Sequence, residues 1–455
     1  MNNRYGRILW LNRLTPVQLL LLFYIAAVAV STILLALPPS YQEGVSIPFI
    51  DLLFTAVSAL SITGLSSISI VDTFSTTGII FLTIILHLGA VGVMAMSTLI
   101  WLLFGKKIGL NERRLIMTDQ NQTSFEGIVR LIKEIIILIL VVEFIFVLVL
   151  GTYFSLYYGI PLQEAFFHGY FSTITAISNA GFDLTGASMI PFKNDYFYQL
   201  ITIFLIIFGA IGFPVLIELK EYILYRRKNK TIFRFSLFFK VTTITFGVLV
   251  FIGTIGIYIF DRKDFFQNMI WHEAFFYSLF QSVTTRSGGL ATLDVSLLSE
   301  ANQLFLSFLM FIGASPSSAG GGIRTTTFAL LILFIYSYMR GQKHVRIFQR
   351  EVHEDDIKKA MIITMGAGMF VFASILFVSA IEDLTLMQIL FEVSSAFGTV
   401  GLSMGITAEL SVASKIVLMI LMFIGRVGVI TFLLMFQPKA TMSNIHYPKE
   451  RMIIG

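Results

Sequence analysis

The sequence predicts an all-α integral membrane protein of four helix, pore-loop, helix repeats, with eight transmembrane helices and four re-entrant half-helices around a central pore. Composition is the first evidence: 56% of the 455 residues are hydrophobic, only 13% are charged, and the mean hydropathy is +0.84. Long apolar runs also alternate with shorter semi-polar stretches, and one glycine motif recurs four times. A soluble core does not need so apolar a composition, so the soluble enzyme classes are excluded.

Eight apolar runs are long enough to cross a bilayer, whose hydrocarbon core of about 30 Å takes roughly 20 helical residues. The first run follows three arginines, as in a signal peptide, but it is longer than the apolar region of a signal peptide and the first repeat requires it. We therefore expect a retained span. The predicted spans are 17–37, 78–104, 131–157, 197–224, 238–260, 304–339, 360–380 and 415–436.

Between the two spans of each repeat lies a segment too short to cross, interpreted as a half-helix that re-enters the membrane. Each segment carries one glycine in register, at intervals of 117, 108 and 112 residues: Gly64, Gly181, Gly289 and Gly401. This spacing indicates a fourfold internal repeat. The segments are 49–65, 164–182, 272–290 and 385–402.

A second glycine marker recurs in the second span of each repeat. It reads Gly89-Ala-Val-Gly92, Gly209-Ala-Ile-Gly212, Gly313-Ala-Ser-Pro316 and Gly425-Arg-Val-Gly428. Two markers in register across four units are hard to obtain by chance, so they strengthen the repeat assignment.

Lysine and arginine counts predict the orientation, because positively charged loops stay in the cytoplasm. Five segments on one side hold 25 of the 32 basic residues. Both termini are therefore expected in the cytoplasm of a multi-pass plasma-membrane protein, and this bias explains the net charge of +5 without a nucleic-acid partner. The predicted divisions are the cytoplasmic N-terminus 1–16, repeat 1 at 17–104, a basic loop 105–130, repeat 2 at 131–224, a loop 225–237, repeat 3 at 238–339, a loop 340–359, repeat 4 at 360–436 and a cytoplasmic tail 437–455.

The four glycine segments predict a cation filter. Non-helical backbone is tolerated at membrane depth only where it is buried in protein or lines a wet cavity. A ring of carbonyl oxygens replaces the hydration shell of a monovalent cation, and glycine adopts the backbone angles that turn carbonyls inward. The C-terminal ends of the half-helices add partial negative charge, which favours a cation over an anion.

These residues resemble the Trk/Ktr/HKT superfamily of potassium transporters, and most of all the Ktr-type membrane subunit. Four repeats with single glycines, in place of a Thr-Val-Gly-Tyr-Gly signature, carry the resemblance over nearly the whole chain. It implies K⁺ uptake, with K⁺ bound at the filter, and sodium-selective relatives carry serine at the first filter position. The third repeat departs from the pattern with paired glycines beside Arg286. The expected filter residues are Thr63, Gly64, Ala180, Gly181, Gly288, Gly289, Val400 and Gly401.

The resemblance also implies the partners: a homodimer in the lipid bilayer and a cytosolic ring of RCK-type nucleotide-binding regulatory subunits. This chain has no Gly-x-Gly-x-x-Gly after a strand pattern, so no cofactor is expected in it and any nucleotide belongs to the partner. Whether Na⁺ acts as an activator or a coupled ion stays open. The basic loops 106–130 and 226–234 and the tail 438–455 are the expected docking surface for the ring, with contact to anionic lipid as the alternative.

The second span of the third repeat is interrupted by a proline and three consecutive glycines, which break a helix. A broken helix at the midplane marks a functional segment, and the resemblance implies a mobile loop that gates the pore below the filter. The alternatives are a packing kink and a phosphate-binding loop; the latter is disfavoured because no lysine follows the glycines. The expected gate residues are Gly313, Ser315, Pro316, Gly320, Gly321, Gly322 and Arg324.

Arg426 lies near the middle of the last apolar run, where a charge costs roughly 2.5–3.5 kcal/mol. The resemblance implies that its side chain projects into the pore as an electrostatic barrier; a structural brace is the alternative. Among the other intramembrane polar residues, we expect His87 and Glu143 each to make hydrogen bonds between helices, with a place in the lining of the conduit as the alternative. We expect Asp51 to cap the dipole of its half-helix and Glu392 to brace the fourth half-helix.

Three other functions compete with a potassium channel-like transporter. A coupled carrier with alternating access predicts inverted repeats and paired midplane carboxylates, whereas these repeats are parallel. An intramembrane enzyme needs a catalytic dyad or metal cluster, and the sequence, with no cysteine and six scattered histidines, offers neither. A sodium-permeable or sodium-coupled member of the same family is the nearest alternative.

Overall fold

The structure, a computed structural model, describes residues 15–92, 128–228 and 233–436 and the isolated positions 448, 450 and 452. The predicted N-terminal segment 1–16, the basic loop 105–130 and the tail 437–455 lie almost entirely outside these residues, as does part of the loop 225–237.

The described residues are helical apart from loops and one short hairpin. The helices are α1 Pro16–Ala36, α2 Phe49–Ser61, α3 Ile70–Thr73, α4 Thr76–Val91, α5 Ile128–Tyr157, α6 Leu162–Ile177, α7 Tyr196–Ala210, α8 Phe213–Lys228, α9 Leu237–Asp261, α10 Trp271–Thr284, α11 Glu300–Phe311, α12 Thr325–Met339, α13 Glu354–Ile381, α14 Leu386–Gly398, α15 Val412–Val427 and α16 Val429–Leu434. The strands β1 Arg346–Ile347 and β2 Arg350–Glu351 pair antiparallel between α12 and α13.

Each repeat begins with one long helix and a pore helix packed against it. The long helices are α1, α5, α9 and α13, and the pore helices are α2, α6, α10 and α14. Within the described residues, these four long helices are the ones long and apolar enough to cross a membrane alone. They are exposed over most of their surface, as expected for helices that face lipid rather than water.

The second helix of each repeat starts at a polar cap that the sequence supplies at the same point in all four units. The side chains of Ser75, Asp195, Ser299 and Ser411 accept hydrogen bonds from the first turns of α4, α7, α11 and α15. A serine or aspartate cap satisfies backbone N–H groups that a helix start otherwise leaves unpaired.

The predicted second spans 197–224 and 415–436 are not single helices: α7 and α8 are bent by 104° around Gly212, and α15 and α16 meet at Gly428. Helix α4 ends at Val91 with Gly92 as its cap, and the remainder of the predicted span 78–104 lies outside the described residues. These three glycines have φ of 101°, 98° and 94°, a left-handed conformation that ends a right-handed helix and favours glycine. The third repeat is broken more widely, by the irregular residues 312–324 between α11 and α12.

The four repeats close into a ring. Each second helix packs against the pore helix of the following repeat, α4 on α6, α7 on α10, α11 on α14, and finally α15 on α2 of the first repeat. The buried core runs through this ring and includes the C-terminal half of every pore helix. The loops that follow the pore helices are therefore brought together at the centre of the molecule.

Candidate functional site: a ring of glycines above an intramembrane loop

The four glycines in register meet at the centre of the ring. A Cβ on Gly64 would overlap the carbonyl oxygen of Ala180, and one on Gly401 would overlap the carbonyl oxygen of Thr63. A Cβ on Gly181 would lie 2.9 Å from the Cα of Gly289, and one on Gly289 would lie 2.5 Å from the carbonyl oxygen of Val400. Each glycine thus faces the backbone of the next repeat, in the cyclic order one, two, three, four, one.

Two backbone conformations recur in register at this ring. The filter glycines have φ between 70° and 96°, and the residue two positions earlier has positive φ as well: Ile62 at 56°, Asn179 at 56°, Ser287 at 78° and Thr399 at 48°. For branched side chains such as those of Ile62 and Thr399 this conformation is strained, at a cost of order 1–3 kcal/mol each. The surrounding packing therefore holds the pore loops in a shape that their sequence does not prefer.

Short hydrogen bonds fix the turn from pore helix to filter. In three repeats, the N–H before the filter glycine donates to a carbonyl five residues back: Thr63 to Ser58 at 2.8 Å, Ala180 to Thr175 at 2.8 Å and Val400 to Ser395 at 2.9 Å. This pattern is the usual one at a helix end followed by a left-handed residue. Side-chain hydroxyl groups add to it, since Thr175 donates to the carbonyl of Phe182 at 2.8 Å and Thr284 donates to that of Leu290 at 2.6 Å.

The third repeat departs from the other three at this turn. The N–H of Gly288 donates to Thr284, four residues back, at 2.7 Å. Beside it the Arg286 side chain is completely buried and donates to the carbonyl of Leu309 on α11. The irregularity that the paired glycines and Arg286 suggest in the sequence is therefore real, and it lies in the turn before the filter glycine.

The first glycine of the second-helix marker brings that helix onto the end of the pore helix. A Cβ on Gly89, Gly209 or Gly425 would overlap the carbonyl oxygen of Leu60, Ile177 or Phe397, respectively, each four residues before a filter glycine. In the third repeat, a Cβ on Gly313 would overlap the carbonyl oxygen of Gly321 in the intramembrane loop instead.

The intramembrane loop, residues 312–324, joins the repeats across the centre. Its backbone bonds to the break of the second repeat, with Ser315 N–H donating to Ala210 O at 3.0 Å and Ala319 N–H donating to Gly209 O at 3.0 Å. It also bonds to the fourth repeat, where Gly322 N–H donates to Gly425 O at 3.1 Å.

The same loop lies directly under the filter turns. A Cβ on Gly320 would come within 2.5 Å of the Ser287 side chain, and one on Gly321 would come within 2.5 Å of the Thr399 hydroxyl oxygen. The loop therefore touches the left-handed residues of the third and fourth filter turns, where no side chain larger than hydrogen fits. Among the predicted gate residues, Gly313 and Gly322 lie against backbone atoms, Gly320 lies against side chains, and Gly321 lies against both.

Two arginines hold the intramembrane loop through its carbonyl oxygens. Arg324 donates to Gly320 and, at 3.5 Å, to Ser315. Arg426 donates to Ala319 at 2.6 Å and, through its other terminal nitrogen, to Gly89 at the end of α4. Both of its terminal nitrogens are thus directed at backbone carbonyls, a geometry that fits the brace more directly than a free charge in the pore.

Other polar pairs in the membrane join repeats to one another. His87 Nε2 lies 3.1 Å from the Glu143 carboxylate, so the expected bond between helices is confirmed. Asp51 lies in the first turn of α2 as expected, but it also accepts from Lys415 of α15 at 2.8 Å, a buried ion pair between the first and fourth repeats that sequence reasoning missed.

The buried Glu392 side chain fulfils its expected bracing role. It accepts from the Thr407 hydroxyl group and thereby ties the loop after the fourth filter glycine to α14. Among the described residues there is no group of His, Cys, Asp and Glu able to hold a metal ion.

The ends of four half-helices and the glycine turns that follow them meet at the centre of a ring of apolar, membrane-length helices, which is the architecture of a multi-pass membrane protein. The family described as "TrkH: Cation transport protein" matches residues 20–445, and the chain belongs to that family of membrane cation transporters, which are not enzymes. It is 52% identical to "Ktr system potassium uptake protein D" of Bacillus subtilis, over 100% of both chains, and 34% identical to "Ktr system potassium uptake protein B" of the same organism, over 97% of both. The potassium transporter TrkH of Vibrio parahaemolyticus shares the fold, with a TM-score of 0.71 and 17% identity over 94% of this chain and 86% of that one.

Proposed function

We propose that this protein takes up potassium across the plasma membrane through a channel-like pore formed within a single chain. The observation that carries the proposal is the closed ring of filter glycines, in which each glycine faces the backbone of the next repeat. Carbonyl oxygens of Thr63, Ala180 and Val400 lie at the ring, and such oxygens can replace the water around a dehydrated K⁺ ion. The similarity to potassium uptake proteins over the full length supports the choice of ion.

The intramembrane loop is the proposed gate, and cytosolic RCK-type nucleotide-binding subunits are the proposed regulators of a homodimer. The loop bonds to the second repeat through Ser315, Ser317 and Ala319 and to the fourth repeat through Gly322, in each case by backbone hydrogen bonds. A displacement of the breaks in those repeats would therefore move it. The relatives belong to Ktr systems by name, which supports a separate regulatory subunit. Both termini are proposed to be cytoplasmic on the charge distribution of the sequence.

Flux measurements in reconstituted liposomes test the choice of ion. We expect rubidium, a tracer for K⁺, to enter faster than sodium through the wild-type protein. Gly401→Ser should lower this preference because a side chain there overlaps the Thr63 carbonyl. Gly405→Ser is the matched control, since Gly405 has a similar φ of 87° but nothing within 4 Å of its Cβ position.

An unchanged permeability ratio in Gly401→Ser would remove Gly401 from the filter. Equal sodium and rubidium flux through the wild-type protein would instead favour the sodium-permeable alternative. Rubidium uptake that depends on external sodium would indicate that sodium is an activator or a coupled ion.

A further inference from the structure

A groove of about 450 Å³ opens on the outer surface of the third repeat, between α9, α11 and α12. Thr245 is the one polar side chain among its lining residues. The lining includes Ile244, Ile252 and Ile332, each about half exposed. In a bilayer such a groove is filled by lipid, because an empty one loses the dispersion contacts of its whole lining.

The length of the groove matches one leaflet of a membrane. Its lining extends along α9 from Val241 to Ile252, which at about 1.5 Å per residue spans about 16 Å. Half of a hydrocarbon core of about 30 Å is nearly the same length. One acyl chain, lying along α9, can therefore occupy it.

Unpaired positive charge lies at one end of the groove. Residues Ile347 and Phe348 of the β1–β2 hairpin close that end, and the Lys240 ammonium group lies 5.5 Å from the Phe348 ring centre. Arg350 pairs with Ile347 in the hairpin register and is exposed. No ion pair among the described residues involves Lys240 or Arg350.

We propose that this groove binds an anionic phospholipid of the cytoplasmic leaflet, with one acyl chain along α9 and the headgroup phosphate between Lys240 and Arg350. The assignment to that leaflet rests on the topology of the proposed function. Charge complementarity selects the occupant, because two cations that have no carboxylate partner among the described residues suit an anionic headgroup better than a zwitterionic one or a second apolar helix.

The bound acyl chain would touch both helices that carry the intramembrane loop. Phe308 and Leu309 line the groove from the last turn of α11, before the loop, and Phe328 and Ala329 line it from the first turn of α12, after it. The carbonyl of Leu309 also accepts the hydrogen bond of Arg286 at the third filter turn. Occupancy of the groove therefore fixes the spacing of the two helix ends between which the loop is held.

Native mass spectrometry of the delipidated full-length protein tests the proposal, with phosphatidylglycerol and phosphatidylcholine of the same acyl chains as probes. We expect one phosphatidylglycerol per subunit to bind in preference to phosphatidylcholine. The double variant Lys240→Gln, Arg350→Gln should bind phosphatidylglycerol about 25-fold more weakly, since each basic residue near an anionic headgroup contributes about fivefold. The matched control is Arg262→Gln, Lys263→Gln, which removes two exposed cations beyond the far end of α9.

A groove-filling variant provides a second measurement. Ala329→Phe fills the groove and should abolish the preference for phosphatidylglycerol over phosphatidylcholine. Ala373→Phe, on the exposed face of α13, should leave this preference unchanged. Equal affinity for the two lipids, or wild-type binding by the double charge variant, would overturn the proposal. So would a change in oligomer mass in Ala329→Phe, because the occupant would then be a second copy of this chain. None of these measurements depends on ion flux, so they remain informative if the proposed transport function fails.

Discussion

Replacing Arg426 by alanine tests whether this side chain holds the intramembrane loop, the proposed gate, in place. The Arg426 guanidinium donates to Ala319 at 2.6 Å, to Ser318 at 3.2 Å and to Gly320 at 3.3 Å in the loop. Its other nitrogen donates to Gly89 and, at 3.4 Å, to Ala90. One side chain of the fourth repeat thus ties the loop of the third repeat to the helix end of the first.

The contacts give the size of the expected effect. A hydrogen bond from a charged group contributes about 1.5–3 kcal/mol, and only the bonds to Ala319 and Gly89 are short enough to count at full strength. Their sum is about 3–6 kcal/mol. Because Arg426 is only half-buried, water replaces part of the loss, so the lower value applies. About 3 kcal/mol corresponds to a shift of about 150-fold in the balance between closed and open loop.

Rubidium uptake per folded protein measures this shift. We expect Arg426→Ala to raise basal flux, with the preference for potassium over sodium largely retained. A charge barrier predicts the same rise, because arginine keeps its charge in proteins and a charge in a narrow passage is poorly screened. Arg426→Gln separates the two roles: it can still donate to a loop carbonyl but carries no charge, so it stays close to wild type if hydrogen bonding dominates and equals alanine if the barrier dominates. Arg426→Lys keeps the charge and should raise flux less than alanine.

Arg262→Ala, at an exposed position in the loop after α9, is the control for loss of an arginine. If Arg426 is mainly a structural brace, its removal leaves buried partners unpaired at a cost of order 3–5 kcal/mol, and the alanine protein will express poorly or lose the proposed homodimer. A well-folded Arg426→Ala protein with unchanged or lower flux would refute both the barrier and the loop-holding role.

Three further predictions concern the loop, an ion pair between repeats and the C-terminal tail. Deleting residues 319–322 removes the Ala319 and Gly320 carbonyls that Arg426 binds and the backbone bond to Gly209, so basal rubidium flux should rise; normal folding with unaltered flux would favour the packing kink. Lys415→Met leaves the buried Asp51 carboxylate unpaired and should lower the free energy of unfolding by about 3–5 kcal/mol, while Lys415→Met with Asp51→Leu should recover most of it; additive losses in thermal denaturation would contradict the coupling. Truncation after Gln437 should weaken co-purification with the regulatory ring, and full retention would count against the tail as the docking surface.

The sequence was enough to predict that the four glycines in register belong to one site and where the intramembrane loop lies, because both depend on glycine and proline in register. Aligning the repeats was sufficient to find Gly64 and its three counterparts. Glycine can take positive φ where other residues resist, so its recurrence at one position is a direct signal of the backbone there.

The breaks in the other second helices were harder to predict, although a signal was present. Gly92, Gly212 and Gly428 lie inside or at the ends of apolar runs, and an isolated glycine is tolerated in a helix at a cost of about 1 kcal/mol. Nothing in the sequence indicates the positive φ of Ile62 and Thr399, since β-branched residues disfavour that conformation. Tertiary packing determines the backbone conformation at these positions, and the conformational preferences of single residues do not predict it.

The third repeat differs from the others because its second helix does not pack on the end of its own pore helix. In repeats one, two and four a glycine lets that helix lie against the carbonyl four residues before the filter glycine and so supports the filter turn. In repeat three Gly313 faces the intramembrane loop instead, because the helix has opened to make room for residues 312–324. The filter turn there needs another support, and the buried Arg286 supplies it by reaching the Leu309 carbonyl of α11. Burying a guanidinium costs desolvation free energy that close packing at a glycine does not. The arginine side chain is, however, long enough to bridge the gap that the loop creates. Arg286 and the glycine-rich loop are therefore two parts of one adaptation, in which a single repeat lacks the close helix packing of the other three and accommodates the intramembrane loop, the proposed gate.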